Sequence, residues 1–283
     1  MQIIETVVGV KEQVAAWKAA GLTIGLVPTM GALHEGHESL MEAARAACDK
    51  VVVSVFVNPL QFGPDEDYDA YPRDIARDGA VCAAHGVDVV FHPTPEEMYG
   101  PAFNTYVVME TLTDALCGAS RPGHFRGVCT VVTKLFNIAQ PDFAFFGQKD
   151  AQQLAIIKRM VADLNMNLQV VGCPIVREED GLAKSSRNAY LSAAERQAAL
   201  VLSRAVRAGE AAVRAGERDA AAVKRQMSAI IEAEPLARID YVEVVDGATM
   251  QPVDTLGRSV LAALAVYIGS TRLIDNFIYE EGE

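Results

Sequence analysis

The sequence predicts an α/β protein, with a Rossmann-like parallel-sheet domain over residues 1–175 and a small α+β domain over residues 176–283. Three observations predict it. Short β-branched runs alternate with longer amphipathic stretches through the first 175 residues, as in βα units around a buried parallel sheet. Several of those runs pass straight into polar or glycine-rich turns, at the edge where open α/β sheets bind ligands. Beyond "REEDGLAKSSRN" the composition shifts to a stretch dense in Ala, Arg and Glu, followed by runs that read as antiparallel strands.

In chain order, the predicted strands are "TIGLVPT" (23–29), "KVVVSVFV" (50–57), "VDVVFHP" (87–93), "DFAFFG" (142–147) and "LQVVGCPIV" (168–176). Amphipathic spacing predicts helices over 38–48, 72–85, 128–139 and 151–164. The turns at 29–37, 58–63 and 147–150 follow strand ends and are expected to share one crevice. Residues 193–233 have helical periodicity, and "RIDYVEVVD", "RSVLAALAVYIG" and "TRLIDNFIYE" supply the second sheet.

Composition narrows the function. With 51% hydrophobic and 22% charged residues the chain can bury a core. A net charge of -12 argues against a nucleic-acid or anionic-membrane surface, since either needs basic residues to release counterions. Any bound phosphate must therefore be held locally. The cysteines Cys48, Cys82, Cys117, Cys129 and Cys173 lack CxxC spacing and lie among apolar or small neighbours, which predicts buried reduced thiols. "MQIIETVVGVKEQ" lacks the pattern of a secretory leader, and no run approaches the roughly 18 apolar residues of a membrane span, so a cytoplasmic protein is expected.

The stretch "PTMGALHEGH" (28–37) admits three readings. Gly31, Gly36 and His37 approach the phosphate-loop pattern, but His37 and Glu38 stand where that loop needs Lys and Ser or Thr. Zinc binding would use His34 and His37, yet their spacing is three, not four, and no third ligand is placed by sequence. The third reading is a tight turn leading to a helix N-terminus near His37, with free amides aimed at an anion. H-x-G-H here resembles the HIGH signature of the nucleotidylyltransferase superfamily, in which two imidazoles contact ATP phosphates.

Three further stretches carry chemistry. "AKSSRN" (183–188) sets Lys184, Ser185, Ser186 and Arg187 beside Gly181 as a hinge, and resembles the K-x-S loop that partners HIGH. In "FFGQKDAQQL" (145–154) a strand leaves through Gly147 toward a helix capped by Asp150, which places Lys149 at the strand end; a cation there is unfavourable unless an anion is present. In "VFVNPLQFGPDEDYDAYPRD" (55–74) Asn58 and Gln61 stand in an apolar setting that suits a small hydroxy acid, with Gln153 converging, while the acidic run 65–69 reads as a solvated face.

Taken in order, "PTMGALHEGH", "NPLQFGPDED", "RPGHFRGV", "FGQKDAQQL" and "DGLAKSSRN" resemble the pantoate:beta-alanine ligase (pantothenate synthetase) family over nearly the whole chain. The resemblance implies a nucleotide-binding first domain and a lid-like second one. It implies ATP with Mg2+ and attack of pantoate on the α-phosphate to give pantoyl adenylate and pyrophosphate. Beta-alanine then displaces AMP. His34 and His37 would contact the phosphates, and Lys149, Ser185, Ser186 and Arg187 would hold them, with Lys184 beside them. Gln61, Gln153 and Asn58 would grip pantoate and beta-alanine against the Met30 backbone, and base and ribose would lie along Gly147, Asp150 and Val176. No protein ligand to Mg2+ is implied, and a homodimer through the N-terminal domain is. Lys184 stands where many members carry an apolar residue, and Gln148 where glutamate is frequent. Two rivals stay open: another HxGH nucleotidylyltransferase or adenylate-forming ligase with a different acceptor, and a non-catalytic nucleotide-binding regulator.

Overall fold

The computed structural model describes residues 1–64 and 66–282, arranged in two compact units. The first comprises Met1–Met109, Arg121–Gln148 and Gln153–Pro174; the second comprises Glu110–Ser120, Lys149–Gln152 and Ile175–Glu283.

The first unit carries β1 (Gln2–Ile4), α1 (Val7–Ala19), β2 (Ile24–Thr29), α2 (Glu35–Ala47), β3 (Lys50–Val55), α3 (Ile75–Ala84), β4 (Val89–Phe91) and α4 (Pro95–Met98). After α5 (Leu116–Ser120), which belongs to the second unit, come α6 (His124–Ala139), β5 (Phe143–Gly147), α7 (Ala151–Asp163) and β6 (Gln169–Cys173). Every strand pairing is parallel, in the order β1-β4-β3-β2-β5-β6. Leu26, Val27, Val51, Val53, Val90 and Phe145 are almost wholly buried, because helices cover both faces of such a sheet. From α2, Leu40, Met41 and Ala44 pack onto Val27, Val53 and Phe145.

The strand order gives the site its place. From β2 the chain builds outward through β3 and β4, then returns to the other side of β2 with β5 and β6. The segments that leave the carboxyl ends of β2 and β5 therefore flank the topological switch point.

The second unit holds α8 (Ala193–Ala198), α9 (Leu200–Arg214), α10 (Ala220–Glu232) and an antiparallel sheet of β7 (Ala237–Asp246), β8 (Ser259–Ile268) and β9 (Thr271–Glu280). Leu202, Val206, Met227 and Ile231 of the helices bury against Val242, Val244, Leu264 and Val266 of the sheet. The α/β fold class with a small α+β second part is the one the sequence predicts.

The structure adds β1, α1, α4 and α5 to the predicted elements and moves several boundaries. Helix α1 buries only Val10 and Val14, too few to mark an amphipathic stripe. Helix α2 starts at Glu35 because His34 caps it, so His37 lies inside the first turn. Helix α6 starts at His124 because Gly123, at φ 84°, supplies a left-handed entry. The 193–233 stretch, read as helical, holds three helices. Cys48, Cys82, Cys129 and Cys173 are buried free thiols as predicted, and burial pushes Cys82 up to about 12. Cys117 departs from that pattern, being half-buried with Sγ 3.2 Å from the Tyr241 hydroxyl.

Candidate active site

The turn after β2 is shaped by buried acceptors. Thr29 Oγ1 donates to the Ser54 carbonyl at 2.6 Å and accepts from Gly31 N at 3.2 Å, ending the strand in a tight corner. Gly31 has φ +86°, and a Cβ there would lie 2.8 Å from Asp78 Oδ2, so the position requires glycine. Asp78 of α3, 1% exposed, accepts from Ala32 N at 3.0 Å and Leu33 N at 2.9 Å. Its two carboxylate oxygens hold the turn that delivers the histidines.

His34 and His37 form a reciprocal cap on α2. Gly36 N donates to His34 Nδ1 at 3.1 Å, and His34 N donates to His37 Nδ1 at 3.3 Å. A backbone N–H can only donate, so both Nδ1 atoms are acceptors and each neutral ring carries its proton on Nε2. The ring centroids are 4.2 Å apart. Two Nε2–H donors beside a helix N-terminus form an anion-seeking arrangement. Glu38 Oε2 lies 3.5 Å from His85 Nε2.

Downstream of β3, a 3-10 turn at Pro59–Gln61 is capped by Asn58. Asn58 is 1% exposed and fully engaged: Oδ1 accepts from Tyr99 Oη at 2.7 Å and Leu60 N at 3.3 Å, while Nδ2 donates to Gln61 Oε1 at 2.9 Å and Gly127 O at 3.2 Å. Gln61 Nε2 in turn donates to Met30 Sδ at 3.1 Å, which joins this turn to the β2 turn. Gly127 explains why "HFRGV" carries a glycine inside α6: an added Cβ would overlap the Leu60 carbonyl and sit 2.6 Å from Gln61 N.

The acidic run 65–69 is not simply a solvated face; Asp65 lies outside the described residues, and Glu66 is paired. Arg121 Nε and Nη2 each donate to Glu66 at 2.6 Å, and Nη2 reaches the Gln61 carbonyl at 3.4 Å. Burial alone would raise the Glu66 carboxyl, but the Arg121 hydrogen bonds and charge hold it at about 2. Arg121 Nη1 donates to His124 Nε2 at 3.0 Å, so His124 Nδ1 donates to the Gln61 carbonyl at 2.9 Å. The Gln61 main chain is thus gripped by two residues of "RPGHF".

The remaining predicted residues divide between the units. Gly147 ends β5 and half-buried Gln153 lies on α7, both in the first unit. Lys149, exposed Asp150, Val176 and residues 184–187 belong to the second. Lys149 sits in a 3-10 turn at Gln148–Asp150, and its carbonyl accepts from Asn276 Nδ2 at 2.8 Å. Burial pushes the Lys149 ammonium below the usual lysine range; Asp150 and Asp275 oppose that and Arg187 adds to it.

Residues 176–184 form a short hairpin: Lys184 N donates to Val176 O at 3.0 Å and Glu178 N to Leu182 O at 2.8 Å. Its turn passes through Gly181 at φ +99°. Ser185 then caps the 3-10 turn Ser186–Tyr190, its Oγ accepting from Arg187 N at 3.3 Å. Lys184 neither faces only solvent nor stands ready for phosphate alone, because Nζ lies 3.5 Å from Glu178, a carboxylate shared with Arg196 at 3.6 Å. Asp78, Tyr99, Arg177 and Asn276 are not singled out by any sequence motif, whereas Arg121 and His124 lie in "RPGHF" and Glu66 in the acidic run read as a solvated face.

The chain pairs a Rossmann-like α/β unit, with a capped His-x-x-His turn after its central strand, with a three-stranded α+β unit, and known proteins share its fold. A family model described as pantoate-beta-alanine ligase matches residues 2–278. The pantothenate synthetase of Clostridium novyi (strain NT) is 61% identical over 274 residues, 97% of each chain. The crystal structure of pantothenate synthetase from Thermus thermophilus is similar at a TM-score of 0.91 and 46% identity, covering 98% of this chain and 99% of that one. A pantoate-beta-alanine ligase from Francisella tularensis, crystallised in complex with beta-gamma ATP and beta-alanine, gives 0.78 and 32% over 98% and 97%. The chain belongs to the pantoate-beta-alanine ligase family, and is with it a ligase.

Proposed function

We propose that the enzyme condenses pantoate with beta-alanine to pantothenate with cleavage of ATP, through pantoyl adenylate, with AMP and pyrophosphate released. The observation that carries this reading is the His34–His37 pair, fixed by backbone donors in the tautomer that donates from Nε2. Such donors match an α-phosphate on which negative charge grows as the pantoate carboxylate attacks. The Francisella relative's ATP and beta-alanine complex supports the same substrates here.

Neither step needs a protein nucleophile. The carboxylate is anionic at neutral pH, so the enzyme has to align it and neutralise the phosphate. Alignment of that kind is worth on the order of 7–11 kcal/mol, and one donor aimed at developing charge about 3–4 kcal/mol. His34 and His37 act on the α-phosphate, and Lys149, Ser185, Ser186 and Arg187 on the phosphate chain. Gln61 and Gln153 hold pantoate beside Met30, with beta-alanine entering there. Asn58 orients Gln61 through its amide, and Lys184 braces the hairpin that carries Ser185. Gly147, Asp150 and Val176 border the base and ribose.

Magnesium would enter with ATP and supply charge neutralisation on the nucleotide, with no residue of this chain assigned as its ligand. Among the described residues no group of three or more His, Cys, Asp or Glu side chains is arranged to hold a metal. The second unit is read as a lid, with the boundary of the two functional domains near residue 176. The enzyme is read as a cytoplasmic homodimer through the first unit; no helix among the described residues is long and apolar enough to cross a membrane. Sedimentation at micromolar protein tests the dimer.

Product analysis tests the reaction. With ATP, pantoate and beta-alanine, the proposal requires AMP and pantothenate in equal amounts. Formation of ADP, or AMP without pantothenate, would overturn it.

A further inference from the structure

We propose that Asp275 and Asn276, neighbours on β9, are positioning residues that fix the Lys149 turn and the hairpin leading to Ser185–Arg187 relative to each other. The inference rests on the phosphate roles proposed for those elements. Successive residues of a strand point to opposite faces, so one short segment of β9 can hold two loops at once.

On one side Asn276, 3% exposed, donates from Nδ2 to the Lys149 carbonyl at 2.8 Å. This bond sets the backbone from which the lysine side chain departs. On the other side Asp275, 2% exposed, accepts from Arg177 Nη1 at 2.7 Å and Nη2 at 2.9 Å. Arg177 Nη1 also donates to the Gly181 carbonyl at 3.1 Å, at the bend of the hairpin. Asp275 Oδ1 further accepts from Asn276 N at 2.8 Å, which joins the two arms.

A buried carboxylate and a buried amide are costly unless each is matched to fixed partners. Here the partners are irregular segments carrying cations and hydroxyls, not the bodies of helices or strands. Lys149 and Arg187 repel one another, and Asp275 draws on Lys149, so the β9 pair also balances the charges it positions. Loss of either anchor would let the cations drift from the phosphate geometry without removing any group that touches substrate.

The test separates the two half-reactions. Asn276→Leu keeps the side-chain size and removes the donor. Single-turnover formation of pantoyl adenylate from ATP and pantoate should fall about tenfold or more, as expected when reacting groups are slightly misplaced. Conversion of supplied pantoyl adenylate by beta-alanine uses no β or γ phosphate, and should stay within about twofold. Arg177→Gln is the second variant and should show the same split should Asn276→Leu fail to fold. Parallel loss of both half-reactions would mean a merely structural role, and no loss in either would mean none; each overturns the inference. If the unsubstituted enzyme makes no pantoyl adenylate, the adenylation reading falls and the inference with it.

Discussion

His34 and His37 stand with ring centroids 4.2 Å apart, and each uses its Nδ1 to accept a main-chain N–H, so the pair caps α2 while leaving the Nε2 side of each ring to carry the proton. Cap and chemistry are therefore separable. Asparagine at position 34 is itself a strong N-cap, and glutamine at N3 completes a capping box. His34→Asn and His37→Gln should keep the melting temperature within a few degrees and slow adenylate formation about 100-fold or more. His34→Ala should lose about 1 kcal/mol of stability as well. Thermal melts beside single-turnover rates check this; wild-type rates in the cap-preserving variants would remove the imidazoles from the chemistry.

Gly127 predicts a change in pantoate affinity from a residue that touches no substrate. Alanine there gains up to roughly 1 kcal/mol of helix propensity, but its Cβ overlaps the Leu60 carbonyl. The turn bearing Asn58 and Gln61 must shift. Gly127→Ala should destabilise by about 1–3 kcal/mol and raise the pantoate Kd at least about tenfold, as measured by calorimetry. A more stable protein with unchanged affinity would contradict the packing account.

Glu66 gives a pH prediction with a definite sign. Its carboxyl is held at about 2 against an ordinary 4.5, so its contribution is present above pH 4.5 and is lost as pH falls toward 2. The upper bound is about 3 kcal/mol. Denaturant melts of the wild type and Glu66→Gln should differ most at neutral pH and converge as pH drops through that window. A constant difference across pH would mean that Arg121 does not stabilise the charged carboxylate.

Lys184 should matter little. Its ammonium lies 3.5 Å from Glu178, which Arg196 also approaches, so Lys184→Met leaves that carboxylate partnered. Ion pairs of this kind contribute about 0–1 kcal/mol. Kinetic constants for ATP should stay within about twofold; a tenfold rise in the ATP KM would show that the lysine reaches phosphate.

Much of the fold was legible because parallel strands buried on both faces read as β-branched runs such as "KVVVSV", and because the turns after β2 and β5 follow those runs directly. The start of α2 was not legible, since histidine is an unusual cap. The three-residue β1 and the weakly striped α1 gave no periodic signal. Of the candidate residues, His34, His37, Gln61 and Lys149 were accessible from local motifs. Their supports were not: Asp78 reaches the β2 turn across more than 40 residues of chain, Arg121 meets Glu66 across 55, and Asn276 meets Lys149 across 127. Only the folded chain sets such pairs, and a lone Asp or Asn in an apolar run does not announce its partner.

Attack of the pantoate carboxylate on the α-phosphate of ATP can be read from exchange of labelled pyrophosphate into ATP without beta-alanine. Exchange should require pantoate and collapse in His34→Asn. Exchange that proceeds equally without pantoate, or none at all under conditions where pantothenate forms, would contradict it.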